Sequence, residues 1–381
     1  MEIATKREKP RAAEASDNTG AVLHAAAGVA EAVKGSESSG PEESEPEKAR
    51  KAEAEESVTE ASKVVASAAA KTTDGTNVFQ AVRVFEDAES FGAEFRSFWD
   101  SCWTNFCAYD ETTTIPAMCY THNTDANKVR IRDTLQIVSV EVASIKEGLR
   151  WPLQVFGVVS ARDVVDYKRN IIFHRGRDNC QTITEQDPYL LLTGPSRAVV
   201  VDYDPSYIEV VLKVKGATES DDKELCRLAV EYRLSCFRNG LYPCKLSTLE
   251  LTFSQVYRSV EATLHIKVTG GSWPDGFKGM FSAATARTEC AIVKLLDVGD
   301  DGLPVDAADG MIRLSRNVVS VELEGRLKVY VSACSAAGYD EELCEGSFVP
   351  EKAGVSPGVE LKIGSCLLEA TVAWSLFCHD Y

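Results

Sequence analysis

The chain has 381 residues and a net charge of −17, from 41 Lys and Arg against 58 Asp and Glu. A general nucleic-acid or anionic-membrane binder carries the opposite sign, so we expect no nucleic acid among its partners. No stretch approaches the ~18 consecutive apolar residues of a membrane helix, so no membrane span is expected.

Composition divides the chain at residue 77. Residues 1–77 are rich in Ala and Glu and contain no aromatic residue and no cysteine, so they cannot bury enough apolar area to offset the entropy of ordering. We predict a disordered tail over 1–77, an aromatic helix with a linker over 78–127 and an all-β domain over 128–381. Alternatively, the Ala-, Glu- and Lys-rich part at 46–71 folds as a helix on a membrane or a client protein.

The first periodic signal lies at 86–109. Aromatic and other apolar residues recur there at helical spacing: Phe91, Phe95, Phe98, Trp99, Cys102, Phe106 and Tyr109. Asp87 is the predicted cap of this helix. We expect the stripe to cover a sheet face or the end of a sandwich, with a cofactor or partner groove as the alternative.

From Arg132 onward the apolar period changes to two, which is typical of half-buried strands. Turn residues such as Gly270-Gly271 separate the strands, and no helical pattern intervenes. The fold class predicted is therefore all-β, an antiparallel sandwich or open barrel with one covering amphipathic helix. The predicted strands are 134–145, 153–160, 197–202, 207–215, 224–233, 249–257, 259–268, 290–296, 318–323, 327–333, 360–363 and 367–376.

The N-terminus is highly charged and has no apolar stretch to serve in a signal peptide, so we expect a cytoplasmic or nuclear protein. The 12 cysteines should then be thiols. They form no C-x-x-C, and no H-E-x-x-H occurs, so no metal and no cofactor is predicted. Gly354-Val355-Ser356-Pro357-Gly358 matches G-x-S-x-G, but a strand pattern follows it where a nucleophile elbow needs a helix, and no catalytic residue is predicted.

One segment departs from the acidic balance. Residues 162–180 are locally basic, and cations around a tight turn suit a phosphate or carboxylate. Alternatively, these cations pair with aspartates of the same segment. The predicted ligand-binding residues are Arg162, Lys168, Arg169, His174, Arg175, Arg177 and, in the following turn, Arg197.

Several short stretches carry a resemblance to a known family: 133–142 (DTLQIVSVEV), 156–157 (FG), 161–163 (ARD), 168–173 (KRNIIF), 178–183 (DNCQTI), 192–199 (LTGPSRAV) and 212–216 (LKVKG). In these the chain resembles the grass (Poaceae) family built on domain of unknown function 6598. The resemblance is strongest over 132–233, weakens towards the C-terminus and includes none of the tail.

That family has no established catalytic residues to carry over. In some members the domain follows a ribosome-inactivating N-glycosidase domain, as in cereal jasmonate-induced proteins, which implies stress or defence biology and a protein partner associated with translation. Our leading hypothesis is a non-enzymatic binding or scaffolding module of a plant. The alternatives are an unrecognised hydrolase or ribosome-directed N-glycosidase-related enzyme, and a stress protein that works through its tail. Glu-x-x-Arg, the glycosidase pattern, occurs at Glu47, Glu147 and Glu224.

Overall fold

The computed structural model describes residues 84, 86–122, 129–234, 239–285, 292–335 and 341–378. The predicted tail at 1–77 lies outside the described residues. Within them the chain is mainly β-strand with one α-helix, which confirms the all-β fold class and the single covering helix. Among the described residues, no helix combines the length and the apolar composition needed to cross a membrane.

Helix α1 spans Asp87–Trp103, and single 3-10 turns lie at Arg177–Asn179 and Glu219–Asp221. The strands are β1 (Val129–Arg130), β2 (Arg132–Ile145), β3 (Leu153–Arg162), β4 (Asn170–Arg175), β5 (Gln181–Ile183), β6 (Val199–Val201), β7 (Ser206–Val214), β8 (Lys223–Tyr232), β9 (Gly240–Pro243), β10 (Ser247–Gly270), β11 (Phe277–Thr285), β12 (Val293–Val298), β13 (Val318–Glu322), β14 (Leu327–Ser335), β15 (Glu341–Phe348), β16 (Ala353–Val355), β17 (Val359–Ile363), β18 (Cys366–Ser375) and β19 (Phe377–Cys378).

The largest sheet has eight strands and is organised around β10. Its path is β16–β18–β10–β2–β6, with β9 and β13 also paired to β10 and β17 paired to β18. β10 is 24 residues long and includes both segments that the sequence predicts as separate strands. A bulge lies between Val256 and Ser259, where Arg258 has a φ of 47°. The bulge therefore interrupts the sequence pattern without ending the strand.

Two smaller sheets pack against different halves of β10. The five-stranded sheet β4–β3–β7–β8, with β5 on β3, shares a core with the first half of β10 through Leu249 and Leu251. The four-stranded sheet β12–β11–β14–β15 shares a second core with the other half through Leu264 and Ile266. The strands of the described residues pair antiparallel, and each smaller sheet forms a sandwich-like unit with one half of the large sheet, so that the long strand β10 runs through both units.

Helix α1 packs on the five-stranded sheet. Phe95 and Trp99 are buried in a cluster with Tyr207 and Ala229 of that sheet. Gly92 permits the close approach, because a Cβ there would lie 2.4 Å from the Cα of Leu228. Aromatic rings therefore fill the layer between helix and sheet, as the stripe predicts.

Two details of the helix prediction are wrong. The helix ends at Trp103 instead of near 109, and Phe106 is 73% exposed in the turn that follows. Glu86 holds the N-cap position and makes no side-chain cap hydrogen bond, so Asp87 is the first helical residue and not the cap. The Phe106 and Tyr109 positions fit the helical period by sequence but belong to the connection after the helix.

The expectation of thiols throughout is also wrong for one pair. Cys226 of β8 and Cys244, directly after β9, form a disulfide with their Cα atoms 5.3 Å apart. Both residues are buried in the first core. The bond therefore ties the last strand of the five-stranded sheet to the segment that leads into β10.

Candidate binding sites

The predicted cations Arg162 and Arg169 converge on one buried carboxylate, Glu209. Arg162 ends β3, Arg169 directly precedes β4, and Glu209 lies on β7 opposite Ser160. Nε and Nη2 of Arg162 donate to Glu209 Oε2 at 3.1 and 2.9 Å. Arg169 donates from Nε to Oε2 at 3.0 Å and from Nη2 to Oε1 at 2.6 Å. The carboxylate is thus held by two guanidinium groups at once.

Two aromatic rings pack against this ion cluster. The Arg162 guanidinium carbon lies 4.3 Å from the centroid of Trp99 and 4.7 Å from that of Tyr109. The Tyr109 hydroxyl donates to Glu209 Oε1 at 2.7 Å. Burial and the Glu209 carboxylate raise the pKa of Tyr109 to about 12. Burial alone would raise the pKa of Glu209, but its bonds to Arg169 and the charges of both arginines hold that pKa below its usual value.

Arg197 belongs to a second buried ion group. Its Nη1 and Nη2 donate to the two carboxylate oxygens of Asp163 at 2.7 and 2.8 Å, and Nη2 also donates to Asp166 at 3.0 Å. Asp163 additionally accepts the backbone N–H of Val200 at 2.8 Å. Although burial opposes it, the charge and hydrogen bonds of Asp163 hold the pKa of Arg197 above its usual value.

The remaining predicted residues lie nearer the surface. Lys168 forms an ion pair with Glu111, and Arg177 donates from Nε to Asp222 Oδ2 at 2.9 Å. His174 is exposed and Arg175 is partly exposed on β4. The structure therefore brings Arg162 and Arg169 together on Glu209 and places Lys168, Arg177 and Arg197 in other ion pairs. His174 and Arg175 belong to no ion pair among the described residues, and the ligand-binding role of all seven stays a prediction.

An open pocket of about 410 Å³ lies at the loops near one end of the five-stranded sheet. Three cations line it: Arg150 from the turn before β3, Lys215 after β7 and Lys223 at the start of β8. The one carboxylate in the lining, Asp221, is engaged by the hydroxyl of Thr218 at 2.7 Å. We call this the basic pocket.

Two of the cations in the basic pocket have no direct ion-pair partner among the described residues, and the lining carries three cations against one carboxylate. Within the described part of the chain, the side chains of Arg150 and Lys215 form no ion pair or hydrogen bond. Lys223 Nζ donates to the carbonyl of Gly148 at 2.6 Å, which fixes the ammonium at the rim. Sequence analysis missed this pocket, because its cations come from two connections that are far apart along the chain, Arg150 from that between β2 and β3 and Lys215 and Lys223 from the ends of that between β7 and β8.

A second open cavity of about 520 Å³ lies against the four-stranded sheet. Segments 271–278 and 299–303 line most of it, and its side chains include Trp273, Asp275, Asp300 and Asp301. Gly271 and Gly276 have φ angles of 67° and 72°, which lets the first segment turn tightly around the opening. We call this cavity the acidic groove.

The structure also locates the serine of the G-x-S-x-G match and the potential metal ligands. Ser356 of the G-x-S-x-G match is buried, and its hydroxyl accepts a hydrogen bond from Trp374 Nε1 at 2.7 Å. The strand β17 follows this serine, as the sequence indicates. In the described ranges no group of three or more His, Cys, Asp and Glu residues is placed to hold a metal ion.

Comparison with known proteins gives a family but no activity. Residues 134–372 match the family described as Domain of unknown function (DUF6598). No curated protein matches the chain.

Two solved structures of human GIVD cytosolic phospholipase A2, one in complex with methyl gamma-linolenyl fluorophosphonate, are similar at 8% identity and a TM-score of 0.20. The matches cover 65% and 64% of this chain but only 30% and 32% of those chains. At this TM-score the similarity supports no conclusion about fold or function.

Proposed function

The chain belongs to this family of unknown function, and we propose that it is a non-enzymatic binding module that recognises an anionic group in the basic pocket. The observation that carries the proposal is the pair of cations, Arg150 and Lys215, that line one cavity and have no direct ion-pair partner in the described part of the chain. By contrast, five of the residues predicted from sequence, Arg162, Lys168, Arg169, Arg177 and Arg197, form ion pairs with carboxylates of the domain. The excess positive charge of the pocket attracts an anion at this place, although the chain as a whole has a net charge of −17.

The predicted ligand residues divide into three groups under this proposal. Arg177 positions the pocket wall, because its Nη2 donates at 3.0 Å to the carbonyl of Gly216, which lines the cavity. Arg162, Arg169 and Arg197 support the fold, since their guanidinium groups are committed to buried carboxylates. His174 and Arg175 remain available for ligand contact at the surface, whereas Lys168 is paired with Glu111.

A compact oxyanion, such as a phosphate or carboxylate group, suits this lining. Arg presents a planar fork that can bind two oxygens, and Lys contributes a point charge. Gln154 and Thr182 add polar groups to the lining of the cavity. The pocket volume of about 410 Å³ accommodates a small ligand or the anionic end of a larger one.

The test is the thermal stability of the full chain in sodium phosphate and in sodium succinate, each compared with sodium chloride of the same ionic strength. A ligand at tenfold its Kd stabilises the folded state by about 1.4 kcal/mol, which raises the melting temperature. The rise should vanish in Arg150→Ala/Lys215→Ala. It should persist in the control Lys267→Ala, which removes an exposed cation paired with Glu369 on β18.

Two results would contradict the proposal. One is an equal rise in the pocket variant and the wild type, which would indicate a general salt effect. The other is no rise in the wild type with either anion up to tens of millimolar. Because both substitutions are at partly or fully exposed positions, the variant is expected to fold like the wild type.

The biological setting is a further part of the proposal. The resemblance to grass proteins supports a plant stress or defence role and a protein partner associated with translation. A pull-down from stressed cereal leaves, with and without ribonuclease, tests this setting when the full chain is compared with the pocket variant. Ribosomal proteins or translation factors retained by the wild type and lost by the variant would support it. If the wild type and the pocket variant captured the same proteins, the partner would bind at a surface other than the basic pocket.

A further inference from the structure

We propose that the acidic groove is a second binding site, specific for an alkylammonium group. The groove joins aromatic surface to exposed carboxylates in a cavity of about 520 Å³. Its charged side chains are the three carboxylates of Asp275, Asp300 and Asp301 and the one ammonium of Lys278. The site is separate from the basic pocket and shares no residue with it.

The aromatic part of the groove is held rigidly. Trp273 Nε1 donates to the carbonyl of Phe277 at 3.0 Å, so the polar atom of the indole is already used within the loop. The ring lies over Gly279, where a Cβ would come within 2.4 Å of Trp273 Cζ2. Trp273 is only half-buried, and the surface that it presents to the groove is therefore apolar ring. Such a surface attracts alkyl chains and cations.

The groove already holds one ammonium of its own. Lys278 Nζ lies 3.1 Å from Asp300 Oδ1, and both residues line the cavity. Within the described residues, Asp275 and Asp301 form no hydrogen bond or ion pair through their side chains. Two carboxylates without an ion-pair partner therefore line the same cavity as an aromatic ring, and this combination suits an alkylammonium ion.

Other ligand classes fit the lining less well. An anion would meet excess negative charge. A neutral saccharide needs donors as well as acceptors, and the side-chain donors in the lining are the Ser272 hydroxyl and the Lys278 ammonium, which is already paired. Free polyamines and lysine side chains of a peptide share the required chemistry, and the experiment separates these two sources.

The experiment is isothermal titration of the full chain with putrescine, a capped dilysine peptide and Mg²⁺ at low salt. Putrescine and Mg²⁺ carry the same charge, so tighter binding of putrescine reports the aromatic and apolar contribution. Asp275→Asn/Asp301→Asn should weaken putrescine binding at least about tenfold, because each lost partner is a charge-assisted contact. Binding of putrescine but not the peptide would assign a free amine, and the reverse would assign a protein partner.

A matched control removes the same charge elsewhere. Asp178 and Glu185 are exposed and lie outside the groove, so Asp178→Asn/Glu185→Gln should leave putrescine affinity within about twofold. An equal loss in both double variants would overturn the proposal in favour of general counter-ion binding. Equal affinity of the wild type for Mg²⁺ and putrescine, or no binding of either amine, would overturn it as well.

Discussion

Glu209 is the residue whose removal should damage the domain most through electrostatics. Its side chain is 2% exposed, and its two oxygens accept hydrogen bonds from both guanidinium groups and from the Tyr109 hydroxyl. In Glu209→Ala the Arg162 guanidinium, which has 0% exposure, keeps its charge but loses its counter-ion. Breaking a buried ion pair on one side costs about 3–5 kcal/mol, so we expect a loss of that size in the free energy of unfolding.

The assay is urea unfolding of the full chain, with the midpoint and slope compared among three variants. Glu209→Gln keeps the shape and one acceptor oxygen, and its loss should be intermediate. The control is Glu224→Ala, because Glu224 pairs with Arg227 at side-chain exposures of 38% and 40%. An exposed pair of this kind contributes about 0–1 kcal/mol. A Glu209→Ala loss no larger than that of the control would refute the buried-cluster argument.

The buried-cluster argument also predicts how the stabilising contribution of Glu209 changes with pH. Because the pKa of Glu209 is lower in the folded chain, its stabilising contribution is fully present above the unfolded-state pKa of about 4.3. That contribution is lost as the pH falls from there through the folded-state pKa. The stability difference between the wild type and Glu209→Gln should therefore shrink on acidification below about pH 4.3. A difference that stays constant or widens would contradict the assignment.

Two further substitutions test packing and buried polar groups. Gly92→Ala should lower the free energy of unfolding by about 1–3 kcal/mol despite the better helix propensity of Ala, because its Cβ meets the backbone of Leu228. The control Gly176→Ala, with open space around it, should leave the urea midpoint nearly unchanged. Glu261→Ala should lose about 1–3 kcal/mol for each of the two backbone N–H groups that its buried carboxylate accepts at 2.8 Å. Urea midpoints unchanged by Glu261→Ala would show that water replaces the carboxylate at no cost.

The strands that sequence predicts well are those with alternating apolar residues in the sheet interior. β7 and β10 have this pattern, and both pair on two sides. β15 was not predicted because it is an edge strand, and its residues 341–345 alternate only between exposed and half-buried. β11 was not predicted because a Gly and three small residues give it no periodic apolar pattern. Their positions are fixed by pairing with β14, which the local sequence does not encode.

For the candidate sites, the local sequence is even less informative about which distant residues come together. The sequence identifies Arg162 and Arg169 as a local excess of cations, but their partner Glu209 lies some 40 residues downstream. Antiparallel pairing of β3 with β7 brings it into place, by setting Glu209 opposite Ser160. Charge counted within a segment therefore overestimates the charge that a ligand meets, because the fold supplies counter-ions from other strands.

The way the domain distributes its cations also bears on the size of the anionic ligand that we propose. Salt at physiological strength screens exposed charges beyond about 8 Å, so a compact anion in the basic pocket interacts mainly with Arg150, Lys215 and Lys223. A polyanion extends past this distance and meets the rest of a chain whose net charge is −17. RNA and anionic membranes would gain contact at the pocket and lose it through repulsion elsewhere. Under the proposed function we therefore expect a ligand with one localised phosphate or carboxylate group, on a small molecule or at an exposed site of a protein.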